Sequence, residues 1–147
     1  MDCKTARQGQ GELIMGYLID TCVLIDHLTG RLSLSVSTWL EATISSGNAF
    51  TSVIVYHELL TGARTAKAQK AVETLLENWE IIPVDRQIAG TAAALRREWA
   101  EKGKAMGLAD SLIAATASVR KMKVVTSNIK HFPASIALSP ETAAGLN

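Results

Sequence analysis

Four polar side chains stand far apart in the chain yet in equivalent local settings. Asp20 closes Tyr17-Leu18-Ile19, Glu58 lies inside Val55-Tyr56-His57-Glu58-Leu59-Leu60, Asp110 lies inside Gly107-Leu108-Ala109-Asp110-Ser111-Leu112-Ile113, and Asn128 follows Val124-Val125-Thr126-Ser127. Each follows or interrupts an apolar run, where a carboxylate is least expected. A carboxylate in such a place costs free energy unless a cation or hydrogen-bond donors compensate it. Three acids without matching basic neighbours point to a metal. Oxygen donors of this kind suit Mg²⁺ or Mn²⁺, which keep several waters and share their coordination between one or two carboxylates and substrate phosphates. The chemistry such a pocket would serve is attack of water on a phosphodiester, with the ion lowering the pKa of that water and neutralising charge at phosphorus.

Elements of alternating type must bring these residues together. Tyr17-Leu18-Ile19 is apolar on both faces, as a buried parallel strand requires, and Cys22 to Leu28 continues as a helix ending near Gly30. A second helix is expected over Ser33 to Ile44, a strand over Ala49-Phe50-Thr51, and a third helix after Ser52 as N-cap, carrying Glu58. Ala66 to Trp79 has helical apolar spacing; Ile81 to Val84 reads as extended, and Asp85 to Glu101 as another helix. Alanine-rich Leu108 to Arg120 is helical, Lys123 to Thr126 is a buried strand, and Ser135 to Leu138 a last edge strand before Pro140. This βαβα order predicts an α/β fold with a parallel sheet and helices on both faces. Ligands of open parallel sheets bind beyond the carboxyl ends of the strands, which is where Asp20, Glu58 and Asn128 fall. Ala114, Ala115 and Ala117 let the helix of Asp110 pack close enough to join them.

The bulk properties frame this reading. At 147 residues and 48% hydrophobic content the chain suits one domain with a substantial core. Apolar stretches fall far short of the roughly 20 residues of a membrane span, and the polar N-terminus does not read as a signal peptide, so a cytoplasmic protein is expected. Cys3 and Cys22 have neither disulfide nor zinc spacing and read as reduced thiols. A net charge of +1 neither demands nor excludes a nucleic acid. Residues 1–14 are polar and aperiodic and are expected to form a flexible extension, with Met15, just before the first strand, as the natural start. The domain is expected over 15–140 and a C-terminal tail over 141–147.

Tyr-Leu-Ile-Asp-Thr-Cys-Val-Leu-Ile-Asp at 17–26, Ser-Val-Ile-Val-Tyr-His-Glu-Leu-Leu-Thr-Gly at 52–62, Leu-Ala-Asp-Ser-Leu-Ile-Ala-Ala-Thr-Ala at 108–117 and Val-Val-Thr-Ser-Asn-Ile-Lys-His-Phe at 124–132 resemble the successive motifs of PIN-domain ribonucleases, especially VapC-type toxins. The resemblance covers Met15 to about Pro140. It implies a three-layer α/β/α sandwich around a small, mostly parallel sheet. It also implies an Mg²⁺- or Mn²⁺-dependent endoribonuclease, the toxin of a toxin–antitoxin pair. Asp20, Glu58 and Asp110 then hold the metal, with Glu58 as ligand or water-orienting base. The partners it implies are an RNA substrate, a cognate antitoxin protein and a second copy in a homodimer. Two positions depart from the pattern. Cys22 stands where the family usually has Asn, and Asn128 stands where many members have Asp. Asn128 is therefore a weak ligand, one metal is favoured over two, and Thr126 is expected to orient a metal-bound water.

Plainer readings compete at each position. Asp20 alone suits a helix N-cap, Asp110 suits the positive end of its helix, and Glu58 suits a solvated helix face. Asp26 reads as a helix-surface acid. His57 and His131 read as structural or solvent-facing, because no His-Glu-x-x-His pattern surrounds them. Trp39, Trp79 and Trp99 read as packing residues. Arg64, Arg96, Arg97, Lys102 and Lys104 read as surface charge, of which some could grip RNA phosphates. The alternative function is a catalytically impaired PIN-like binding module that acts through its protein partner. A receiver-like phosphoacceptor lacks support because Asp20 has no acidic neighbour. The Gly-x-Ser-x-Gly and phosphate-loop signatures are absent.

Overall fold

A computed structural model describes residues 6–8 and 12–146 of the chain. After a two-stranded ribbon, β1 (Ala6–Gln8) and β2 (Glu12–Ile14), the chain runs β3 (Tyr17–Ile19), α1 (Thr21–Leu28), α2 (Leu34–Ser45), β4 (Ala49–Ser52), α3 (Val53–Gly62) and α4 (Ala66–Leu76). It continues through β5 (Ile81–Ile82), α5 (Arg86–Glu101), α6 (Leu108–Val119), β6 (Lys123–Val125), a 3₁₀ turn at Ile129–His131, β7 (Ala137–Leu138) and α7 (Pro140–Ala143). The main sheet has five strands in the order β5-β4-β3-β6-β7, and every pairing is parallel. Leu18, Ile19, Val124 and Val125 are all inaccessible to solvent. Successive strand residues point to opposite faces, so both faces of the central strands are covered, giving the expected α/β/α layering.

The strand order places a switch at the centre. From β3 the chain moves to β4 and β5 on one side, then returns to β6 and β7 on the other. Connections that leave in opposite directions from adjacent strands open a crevice at their carboxyl ends, here between β3 and β6. Ile19 is in register with Val125, so the next residues, Asp20 and Thr126, emerge side by side into that crevice.

Local chemistry sets the helix starts. Ser33, Ser52, Thr65 and Asp85 cap α2, α3, α4 and α5, each accepting a hydrogen bond from the backbone N–H three residues on. The helix expected over Ala66 to Trp79 ends at Leu76, yet Trp79 still packs on the core. Its place in the apolar pattern reflects packing rather than helix. Gly16 has φ +144°, and a Cβ there would lie 2.6 Å from the Phe50 ring. Only glycine lets the chain enter β3 so close to β4.

Both ends of the chain carry short elements. Residues 1–14 are not wholly without structure, since β1 and β2 pair antiparallel, Ala6 opposite Ile14, and Ile14 is buried. Ribbon hydrogen bonds and one buried side chain supply order that the polar composition does not signal. Residues 1–5 and 9–11, Cys3 among them, lie outside the described residues. The tail expected over 141–147 begins inside α7, which Ser139 caps with Pro140 at its first turn, a start signal the sequence reading passed over. Among the described residues no helix is long and apolar enough to cross a membrane.

Candidate active site

Asp20 caps α1 and is 6% exposed. Its Oδ1 accepts from the backbone N–H of Thr21 at 2.8 Å, and its Oδ2 accepts from the Thr126 hydroxyl at 2.8 Å. Its own N–H donates to the Val125 carbonyl at 3.0 Å. The capping reading and the site reading thus describe one residue: the cap fixes one oxygen and leaves the carboxylate facing the crevice. Hydrogen bonds to its ionised form are the kind that make a buried carboxylate tolerable.

Thr126 holds the first acid from the neighbouring strand end. It is fully buried, its hydroxyl donates to Asp20, and the same oxygen accepts from the Asn128 N–H at 3.0 Å. It positions Asp20. Asn128 enters the rim through its backbone N–H, while its side chain is exposed. Cys22 fills the space between these groups. Its thiol donates to Asp20 Oδ2 at 3.7 Å, lies 3.7 Å from the Thr126 hydroxyl, and accepts from the Ser127 N–H at 3.4 Å. The thiol thus supplies weak contacts to the rim at a position where the family pattern has an amide.

Glu58 projects from α3 toward the start of α1, and its Oε1 accepts from the Thr21 hydroxyl at 2.6 Å. Thr21 therefore ties the first and second acids together through backbone and side chain, a role that sequence reading missed. The hydroxyl directly after Asp20 was the available signal. Asp110 lies in the first turn of α6, and its Oδ2 is 3.5 Å from His131 Nδ1. His131 was read as structural or solvent-facing; it is exposed, but it faces the third acid. His57 lines a groove together with Glu58.

Asp110 responds to the charges of the other two acids. Burial raises the Asp110 pKa above its ordinary value, the charge of Asp20 adds to that, His131 opposes it, and Glu58 raises it further. Among the described residues no three of His, Cys, Asp and Glu form a group that could hold a metal ion by themselves. An open, oxygen-rich rim fits Mg²⁺ or Mn²⁺ better, because these ions complete their coordination with water and phosphate. The donor set contains carboxylates and hydroxyls, and the unrelieved repulsion on Asp110 is what a cation would remove. Beside Glu58 a groove of about 530 Å³ opens between α3 and α6, walled by Ile54, Thr61, Leu108 and Leu112.

The sequence matches the PIN domain family over residues 17–134. It is 36% identical over 126 residues to ribonuclease VapC10 of Mycobacterium tuberculosis, covering 86% of this chain and 92% of that one. It is 29% identical over 130 residues to a tRNA(fMet)-specific endonuclease VapC of Salmonella typhimurium, covering 81% of this chain and 91% of the other. Among solved structures, VapBC2 of Rickettsia felis bound to a DNA fragment from their promoter superposes with a TM-score of 0.72 at 25% identity, over 85% of this chain and 98% of that chain. The span of the family match and the identity to VapC10 establish that the chain belongs to the PIN-domain family and, within it, to the VapC ribonucleases.

Proposed function

We propose that the protein is a divalent-metal-dependent endoribonuclease that hydrolyses RNA phosphodiester bonds and acts as the toxin of a toxin–antitoxin pair. The observation that carries this reading is Asp20 at the carboxyl end of the sheet, tied through Thr21 to Glu58, with the charges of both acids acting on half-buried Asp110. Asp20 and Asp110 are the principal metal ligands, with Glu58 beside them and Asn128 as a weak contributor. A bound Mg²⁺ or Mn²⁺ would supply Lewis acidity and a more acidic water at this rim. Glu58, held through one oxygen by Thr21, keeps its other oxygen available to accept a proton from an attacking water. Thr126 and the cap of α1 hold Asp20 in place so that no reorganisation is needed when the phosphate arrives.

The relatives support the biological setting. A VapBC complex among the structural neighbours supports a cognate antitoxin protein, and a relative named for tRNA(fMet) makes transfer RNA the first substrate to try. Exposed Val53 and Leu108, at the starts of α3 and α6, support a homodimer. A toxin that acts on cellular RNA is expected to work in the cytoplasm.

The test is cleavage of transfer RNA by antitoxin-free protein with Mg²⁺ or Mn²⁺, run beside Asp20→Asn, together with growth after induction. Metal-dependent cutting and growth arrest that both vanish in Asp20→Asn are expected. Wild-type protein that cuts no RNA with either ion, with growth arrest unchanged in Asp20→Asn, would sink the proposal.

A further inference from the structure

Of the cationic and aromatic residues prominent in the sequence, the structure separates one group from the rest. Arg96 is committed to the Met106 carbonyl at 3.0 Å, Trp39 packs edge-on against Tyr17 with ring centroids 5.3 Å apart, and Trp79 lines a groove at the amino end of the sheet. Trp99, Lys102, Lys104 and Lys130 instead line one groove of about 850 Å³ between α5 and the segment following β6. Among the described residues the only carboxylate at ion-pair distance from these lysines is Glu98, 3.5 Å from Lys102, in a pair more than half exposed on both sides. Lys104 Nζ lies 5.7 Å from the centre of the Trp99 ring. The groove is thus net cationic, with an indole in its wall.

Its position relative to the acids decides its use. The 3₁₀ turn contributes Ile129 and Lys130 to this groove, and its next residue, His131, faces Asp110. The groove therefore begins within one turn of the catalytic rim. The other groove outside the rim and the amino end, between α1, α3 and α4, is walled by Ile25, Leu28, Leu59 and Val72 and carries no charged side chain.

We infer that this groove is the track for a single-stranded RNA segment flanking the scissile phosphate, with Lys102, Lys104 and Lys130 on its phosphates and an unpaired base on Trp99. The inference rests on reading RNA as the substrate of the acidic rim. Lysines neutralise the backbone without regard to sequence, and an indole face serves only a base that is not stacked in a duplex. An incoming base takes the ring face that Lys104 now covers and leaves that ammonium for a phosphate. Three acids at the rim repel a polyanion, so a cationic track beside them is what lets RNA approach.

The experiment measures binding of a fluorescein-labelled oligouridylate of about 12 nucleotides in EDTA across a salt series, and metal-dependent cleavage of transfer RNA in parallel. Wild type is compared with the triple variant Lys102→Gln/Lys104→Gln/Lys130→Gln, whose positions are exposed, and with Trp99→Leu, which keeps apolar volume. The lysine variant should bind about tenfold or more weakly, with its salt slope smaller by about 2, since each phosphate contact on a single strand contributes about 0.7. Trp99→Leu should bind about fivefold more weakly with its slope unchanged, the signature of lost stacking rather than lost charge. In cleavage both should raise KM and leave kcat within about twofold, as loss of uniform binding requires. Unchanged affinity and slope in both variants overturns the track, as does a polyglutamate peptide binding the wild type as tightly as the RNA. Cutting that Asp20→Asn abolishes while the groove variants bind and cut normally refutes the track and leaves the nuclease reading intact. RNA binding that depends on these residues, without any cleavage, supports the track and refutes the nuclease reading.

Discussion

The two ends of one parallel sheet treat their acids in opposite ways. At the amino end, Glu80 just before β5 meets Arg120 Nη2 at 2.7 Å, a surface pair near a groove lined by Met15, Phe50, Trp79 and Met122. At the carboxyl end, Asp20 is tied to Glu58 through Thr21, and the charged groups that move Asp110 are these two acids and a single imidazole. The amino end satisfies its acid with a side chain of the chain itself. The carboxyl end compensates by hydrogen bonds from Thr21 and Thr126 and leaves the remaining charge unbalanced. An imbalance of that kind costs stability, and it persists where a ligand from outside completes the site.

The sharpest way to expose the contrast is Asp110→Asn. It should lower metal-dependent RNA cleavage on the order of a thousandfold, because a ligand and its charge are lost together. The same change should raise the melting temperature of the metal-free protein at neutral pH, since it removes the repulsion that raises the Asp110 pKa. A variant that cuts RNA normally, or that melts lower than wild type in EDTA, would break the comparison.

Thr126→Val comes next. It leaves Asp20 Oδ2 without its hydroxyl donor in a buried place and should cost about 1–3 kcal/mol in denaturant unfolding. Because the first acid is then less well held, activity at limiting metal should fall about 10- to 100-fold and recover in part as Mg²⁺ is raised. Full activity at limiting metal would remove Thr126 from the positioning role.

A smaller effect lies in the pH dependence of the metal-free protein. The folded Asp110 holds its proton to higher pH than the unfolded chain, whose ordinary value is 3.8. Between those two points the folded state binds more protons, so stability declines as pH rises through that window and stays lowered above it. Thermal melts in EDTA from pH 4 to 7 should show this decline in wild type, reduced in Asp110→Asn and reversed in sense when Mg²⁺ is added. Equal pH profiles for wild type and Asp110→Asn would argue against shared repulsion. The smallest effect is at the other end: Arg120→Ala breaks only an exposed pair and should cost less than about 1 kcal/mol with cleavage unchanged.

Much of this molecule was legible in the chain because its signals are local. Apolar runs such as Val124-Val125 marked the strands, Ser52 and Asp85 marked helix starts, and every strand of the main sheet fell where its run predicted. Other elements carried weaker local signals. The ribbon of β1 and β2 depends on pairing that polar composition conceals, and α7 depends on Ser139 and Pro140 outweighing a polar tail. Thr21 escaped notice and His131 was read as structural or solvent-facing for another reason: a threonine after an aspartate and a histidine in a turn acquire meaning only through what stands opposite them.

The sequence by itself determined the element order from β3 to β7, the parallel sheet and which acids are candidates, since each follows from periodicity and residue type within a short window. Tertiary structure alone decided how they work together. The switch between β3 and β6 sets Asp20 beside Thr126, 106 positions away. The packing of α1 against α3 lets Thr21 reach Glu58, 37 positions away. Hydrogen bonds and repulsion fall off within a few ångströms, so they act only between groups that folding has already brought together.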